Sequence, residues 1–151
     1  MDYGDLIWYP RFKMNSKAIE RVQKRATKMI YMTSATYHTY IVERLRALNL
    51  PSLEYRRRRG DMIQVFKIIH GLDRIPSDTF FEHSSANTRG HSLKLTKHRC
   101  LTKLRQDAFS QRIINDWNSL PEEVVNAPSV NSFKTRLDRV WAGKRFCSPY
   151  E

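Results

Sequence analysis

The chain has 151 residues, a formal net charge of +12 and a sequence pI near 10.0. Its length fits one domain, and a hydrophobic fraction of 40% is sufficient for a modest core. The excess of cations favours a polyanionic partner, with RNA or DNA as the leading class. No run approaches the roughly 18 apolar residues of a membrane span, so a membrane partner is not expected.

The cysteine content indicates the redox environment. The chain has two cysteines, Cys100 and Cys147, far apart in the sequence. They exclude a disulfide framework and a CxxC zinc pattern. We therefore expect an intracellular, reducing location, in the nucleus or the cytoplasm.

Three helices are predicted in the first half of the chain. Residues 1–14 begin with an apolar, aromatic segment that stops at Pro10. Ser16 is a candidate N-cap for the first helix, and Gly71 is the expected stop of the third. Pro51 suits the first position of that third helix. The predicted bounds are 16–31, 37–48 and 51–70.

The second half predicts a β-hairpin and two more helices. The tract HSLKLTK alternates apolar and polar residues, which is typical of a strand, and LTKLRQDA is the expected partner strand. Helices are predicted over about 108–118 and over 130–141, the latter capped by Ser129. The predicted fold is mainly α: about five helices, with one small antiparallel β-hairpin between the third long helix and the last two. Residues 15–142 form the single domain, and 143–151 a frayed tail.

The first predicted helix separates two kinds of side chain when its residues are placed at 100° per step. One side is aliphatic and is predicted to face the core: Ile19, Val22, Ala26, Met29 and Ile30. The opposite side is cationic, with no acid in the arc: Lys17, Arg21, Lys24, Arg25 and Lys28. Because solvated helix surfaces usually mix charge signs, we predict that these cations contact phosphates. A plain solvated surface is the alternative.

Four consecutive arginines, Arg56 to Arg59, lie inside the third predicted helix. Steps of 100° spread them around the helix, so they do not form one basic patch. Arg59 falls on the apolar stripe, and we expect its head to pair with an acid or with carbonyls. Arg56 and Arg57 point elsewhere and remain candidate nucleic-acid contacts.

A second basic region coincides with the predicted hairpin. Basic residues occur there without an intervening acid, and a two-stranded ribbon of this kind can follow a nucleic-acid backbone or enter a groove. The candidate contacts are Lys94, Lys97, Arg99, Lys103 and Arg105.

Catalytic motifs are absent from the sequence. There is no pair of adjacent aspartates for a two-metal centre, and His91, His98 and Cys100 match no zinc spacing. We therefore assign no catalytic residue, no metal ligand and no cofactor, and do not expect the chain to be an enzyme by itself. Trp117 and Trp141 share helix sides with apolar neighbours, which favours the core over base stacking.

Several segments occur in a fixed order: AIERVQKRATKMI, LNLPSLEYRRRRGDMIQVFKIIHGLD, TRGHSLKL and FSQRIINDWNSLPEEVVNAPSVNSFKTRLDRVW. Together they resemble the C-terminal, post-polymerase region of jockey-like non-LTR (LINE-type) retrotransposon reverse transcriptases. The similarity covers nearly the whole chain, and the opening YGDLIWYP resembles the segment that joins the thumb to this region. The resemblance therefore implies that residues 1–14 are a remnant of the connection to an upstream, thumb-like region.

The resemblance implies a non-catalytic accessory role in an RNA-directed DNA polymerase encoded by a mobile element. In that family the paired catalytic aspartates and the endonuclease lie in other domains, so this chain resembles a detached tail that holds template RNA or target DNA. A protein-interaction or scaffold remnant is the alternative, with self-association through the apolar N-terminal segment. A fragment of a longer polymerase, a domesticated product and a relic open reading frame all fit the sequence.

Overall fold

The computed structural model describes residues 10, 12–31, 41–85 and 90–146. Within these ranges the chain forms eight α-helices, two short 3₁₀ helices and no β-strand. The α-helices are α1 Lys13–Tyr31, α2 Ile41–Ala47, α3 Leu53–Ile69, α4 Lys103–Asp107, α5 Phe109–Arg112, α6 Ile114–Asn118, α7 Glu122–Val125 and α8 Val130–Val140. The 3₁₀ helices are Ser77–Thr79 and Ala142–Lys144. The prediction of a mainly helical fold is confirmed. The apolar segment at the start of the chain and residues 37–40 lie outside the described residues.

The central element is α3, which is predicted closely from the sequence. Its N-cap is Ser52, whose side chain accepts a hydrogen bond from the Tyr55 backbone N–H at 3.2 Å. Pro51 therefore precedes the cap and is not the first helical residue. The helix is followed by Gly71 at φ +64°, the left-handed conformation that glycine adopts without steric cost.

The core forms where α6 and α8 pack on α3. The rings of Phe66 and Phe133 stack with centroids 4.4 Å apart, and the Trp117 ring lies 6.2 Å from Phe133. Trp117 is 0% and Trp141 is 3% exposed, which confirms the prediction that both belong to the core. Burying an aromatic side chain of this kind contributes about 1.5–3 kcal/mol.

The predicted β-hairpin is wrong. The segment around Leu95 is extended, but it pairs in one isolated antiparallel bridge with His83 and not with the later segment. The expected second strand is instead helix α4, which begins after Thr102 because that side chain accepts from the Arg105 backbone N–H. The alternating polarity predicts an extended backbone and the burial of Leu95, but it does not predict which segment will pair with it.

The last part of the chain contains more helices than predicted. The expected helix over 108–118 is divided into α5 and α6 at Ile113, whose side chain is 1% exposed. The additional helix α7 precedes α8, and the predicted cap of α8 is confirmed, since Ser129 Oγ accepts from the Ser132 N–H at 3.2 Å. Beyond α8, the Arg145 carbonyl accepts from the Ser52 N–H at 3.1 Å, which ties residue 145 to the start of α3.

The prediction that α1 packs through its aliphatic side is wrong, because the helix packs through a polar strip. The strip contains Ser16, Glu20, Gln23 and Thr27, whereas Val22, Met29 and Ile30 are 54%, 76% and 62% exposed. Since α1 begins at Lys13, Ser16 lies inside the helix and is not its N-cap.

Directional hydrogen bonds to the start of α3 account for this orientation of α1. Gln23 Nε2 donates to the Pro51 carbonyl at 3.0 Å. Glu20 Oε1 accepts from the Glu54 N–H, also at 3.0 Å. That N–H belongs to the first turn of α3, where backbone donors have no partner within the helix and a carboxylate is favourable.

Candidate nucleic-acid interface

The cationic face of α1, defined as Lys17, Arg21, Lys24, Arg25 and Lys28, is exposed to solvent. The nearest acid in sequence, Glu20, is 8% exposed and lies on the packed strip. Lys17, Arg21, Lys24 and Arg25 form no ion pair with any residue that the structure describes. The face therefore carries positive charge that the described part of the chain does not neutralise.

The apolar face of α1, defined as Val22, Ala26, Met29 and Ile30, is also exposed and flanks the cationic face. Because the helix packs through the polar strip, the cationic face and the apolar face on its two sides both turn toward solvent. The helix thus offers cations and aliphatic side chains on one continuous surface.

The arginine run of α3 is used inside the fold. Arg58 binds Asp116 of α6 through Nε at 3.0 Å and Nη2 at 2.6 Å, and Arg59 binds Asp138 of α8 through Nε at 2.6 Å and Nη2 at 2.8 Å. The expectation that Arg59 pairs with an acid is confirmed. Arg57 is 5% exposed, so burial contradicts its assignment as a phosphate contact. Arg56 is half-buried and makes contacts of its own within the protein.

Asp138 is the acceptor that attaches α8 to α3. The Tyr55 hydroxyl also donates to it, at 2.8 Å, and burial together with this hydrogen bond raises the pKa of Tyr55 to about 12. Burial alone would raise the pKa of Asp138, but the hydrogen bonds from Arg59 and Tyr55 outweigh it and the pKa is lowered. The carboxylate therefore stays ionised, and Arg59 is occupied by a structural contact.

The second basic region, residues 94–105, is an extended segment followed by α4. Lys97 Nζ donates to Asn115 Oδ1 at 3.0 Å, and Lys103 Nζ lies 3.0 Å from Asp107 Oδ1. Arg99 and Arg105 are exposed and have no ion-pair partner in the described part of the chain. Lys94 is half-buried and makes internal contacts.

His91, His98 and Cys100 do not form a common site, because each is held in a different contact. His91 is 2% exposed with Nε2 3.0 Å from the Trp117 carbonyl, and burial lowers the pKa of its imidazole. His98 Nε2 lies 2.9 Å from Glu82 Oε2, and Cys100 Sγ lies 3.6 Å from the His98 carbonyl. Among the described residues, no three His, Cys, Asp or Glu side chains are grouped to hold a metal ion. Nor does that part of the chain contain a helix long and apolar enough to cross a membrane.

A cleft of about 640 Å³ lies between the extended segment and helices α4 to α6. It brings together three of the predicted contacts, Lys97, Arg99 and Lys103, while Arg105 does not line it. The remaining lining residues are His98, Cys100, Gln106, Asp107, Gln111, Arg112 and Asn115. The five helical members of this second set, Gln106 to Asn115, were not predicted, because they come from three short helices whose mutual placement leaves no periodic signal in the sequence.

In comparisons with protein-family models, with curated proteins and with solved structures, nothing matches this chain. The assignment of function therefore depends on the residues of the two basic regions and on their surroundings.

Proposed function

We propose that this chain is a non-catalytic nucleic-acid-binding region, of the kind that follows the polymerase domain in jockey-like non-LTR reverse transcriptases. The observation that carries the proposal is the cationic face of α1, where four exposed cations have no ion-pair partner among the described residues. The cations of the 94–105 region are a second set of candidate contacts. RNA and DNA are both candidate ligands, and the site would act in the nucleus or the cytoplasm.

The spacing of these cations suits a phosphate backbone. Lys17 to Lys28 span about 17 Å along the helix axis at 1.5 Å per residue. Duplex DNA carries one charge per roughly 1.7 Å of its axis, so a helix of this length lies beside several phosphates. Binding through phosphates releases counterions, which makes affinity strongly dependent on salt and weakly dependent on sequence.

Replacing Lys24 and Arg25 by glutamate should weaken binding and flatten its salt dependence. The slope of log K against log salt should fall by about 2 for duplex DNA, since each lost phosphate contact contributes about 0.9. The measurement is fluorescence anisotropy with labelled duplex DNA and single-stranded RNA over a series of salt concentrations. The K24E/R25E variant should stay helical, because glutamate has a helix propensity similar to that of lysine and the new carboxylate at position 24 precedes Lys28 by four residues.

The matched control carries the same change in net charge elsewhere. Arg74 and Arg139 are exposed, lie outside both basic regions and form no ion pair with described residues. The R74E/R139E variant should keep most of the wild-type slope. An equal fall in slope for both variants would mean that net charge, and not the cationic face of α1, controls binding.

A protein-interaction role is the second candidate, favoured by the exposure of Val22, Met29 and Ile30. Apolar side chains grouped on one helix surface are typical of a contact with another protein. In this case the chain should self-associate in analytical ultracentrifugation without nucleic acid, and V22Q/M29Q/I30Q should abolish the association. A monomer at all concentrations would remove self-association through this face from consideration.

A further inference from the structure

The cleft between the extended segment and α4 to α6 is lined by more cations than anions. Four cations line it, Lys97, Arg99, Lys103 and Arg112, against the single carboxylate of Asp107. Asp61 lies outside the lining but neutralises Arg112, through contacts of 2.8 and 2.9 Å. His98 also lines the cleft, with Nε2 2.9 Å from Oε2 of Glu82, which lies outside the lining. With the four cations set against Asp107 and Asp61, the residual formal charge of the cleft is +2.

We infer that this cleft binds a phosphate monoester of nucleotide size: the phosphorylated 5′ end of a nucleic-acid strand or a free nucleoside monophosphate. A monoester carries about −1.5 to −2 at neutral pH, whereas an internal diester carries one charge. The residual +2 of the cleft matches the monoester. The inference deepens the proposed function. It rests on that function where the ligand is the 5′ end of a nucleic-acid strand.

The side chains that would hold the phosphate are Lys97, Arg99 and Lys103, and only Lys103 has an ion-pair partner among the described residues. Lys97 contacts only the neutral amide of Asn115 among the described residues, and Arg99 has no ion-pair partner there. Lys103 pairs with Asp107 four residues along α4, but its own side chain is 66% exposed, so a phosphate in the cleft can compete for its ammonium group. All three line the same cleft, and each could make a charge-assisted contact with a phosphate bound there.

The remaining part of the cleft suits a nucleoside. A volume of about 640 Å³ exceeds the need of an isolated phosphate and lies within the usual range for small-molecule pockets. The lining includes the amides of Gln106, Gln111 and Asn115, each of which already uses one atom in a contact with Cys100 or Lys97. The other atom, Oε1 of Gln106 or the NH₂ group of Gln111 and Asn115, can accept from or donate to base or sugar atoms. Gln111 is 6% exposed, so this amide is a buried polar group on the wall.

Cys100 lines the same cleft and provides a direct measure of occupancy. In the full chain, the rate of alkylation of Cys100 by iodoacetamide can be followed by peptide mass spectrometry, with Cys147 as the reference thiol. The probes are AMP against adenosine, and one oligonucleotide with a 5′-phosphate against the same oligonucleotide with a 5′-hydroxyl. We expect AMP and the 5′-phosphorylated strand to protect Cys100 at concentrations about tenfold lower than their unphosphorylated counterparts.

Variants make this experiment specific to the cleft. K97A/R99A should remove the preference for the phosphorylated probes, whereas R74A/R139A should retain it. Equal protection of Cys100 by AMP and adenosine, or a preference that survives in K97A/R99A, would overturn the inference. Protection by AMP with no affinity for oligonucleotides would support the cleft and refute the proposed nucleic-acid role. Salt-dependent oligonucleotide binding that is lost in K24E/R25E, without any protection of Cys100, would refute the cleft alone.

Discussion

Replacing Asp61 by alanine should destabilise the protein by about 3–5 kcal/mol, because it leaves a largely buried guanidinium without its carboxylate. The side chains of Asp61 and Arg112 are 4% and 12% exposed, and Arg112 donates through Nε and Nη2 to the two carboxylate oxygens at 2.9 and 2.8 Å. The pair joins α3 to α5, so its loss also loosens one wall of the cleft.

Urea denaturation followed by circular dichroism measures this effect. The matched control is D116A, which breaks the pair of Arg58 and Asp116 with side chains 34% and 24% exposed. Since water solvates this more exposed pair, its loss should cost about 1 kcal/mol. A D61L/R112L variant should recover much of the lost stability, because two apolar residues leave no buried charge. Equal losses for D61A and D116A would show that burial does not set the strength of the two pairs.

The elements that the sequence predicts well are those fixed by local signals. The end of helix α3 was predicted from Gly71, which has positive φ, whereas its start was placed at Pro51 and the cap is Ser52. Trp117 shares a helix side with other apolar residues, which was sufficient to place it in the core. The pairing of Arg59 followed from a charged residue on an apolar stripe, although its partner Asp138 is 79 residues away and had no signal in the sequence.

The orientation of α1 could not be predicted because hydrophobic periodicity does not register directional hydrogen bonds. The Glu20 carboxylate and the Gln23 amide bind backbone groups at the start of α3, and this turns the aliphatic side outward. The cationic face was nevertheless predicted correctly as an exposed surface. It lies off the packed side of the helix whether the helix packs through its aliphatic residues, as predicted, or through the polar strip, as observed. The grouping of these charges on one side depends only on the helical period and not on how the helix packs.

The 94–105 region shows a different limit. Alternation around Leu95 predicted an extended backbone, but the hydrogen bonds of the neighbouring residues go to the segment around His83. The choice of partner is a tertiary property. For the same reason the grouping of Lys97, Arg99 and Lys103 was expected on a ribbon, and it is found instead around a cleft walled by helices.

Replacing Trp117 by alanine should cost about 3–5 kcal/mol, the usual range for removing a large buried aromatic side chain. The indole is 0% exposed, and its Nε1 donates to the Leu93 carbonyl at 2.8 Å. His91 Nε2 lies 3.0 Å from the Trp117 carbonyl, so this one residue anchors the start of the extended segment twice. The variant should therefore loosen that segment together with the core.

W117F separates packing from hydrogen bonding and also tests the rejected role in base stacking. Phenylalanine keeps most of the apolar contact with Phe133 and loses the donor to Leu93, so the cost should fall to about 1–3 kcal/mol. Urea denaturation and oligonucleotide anisotropy on the same samples give the two readouts. Because the ring is buried, folded W117F should bind nucleic acid with wild-type affinity. A variant of unchanged stability that loses affinity would place Trp117 on the binding surface and not in the core.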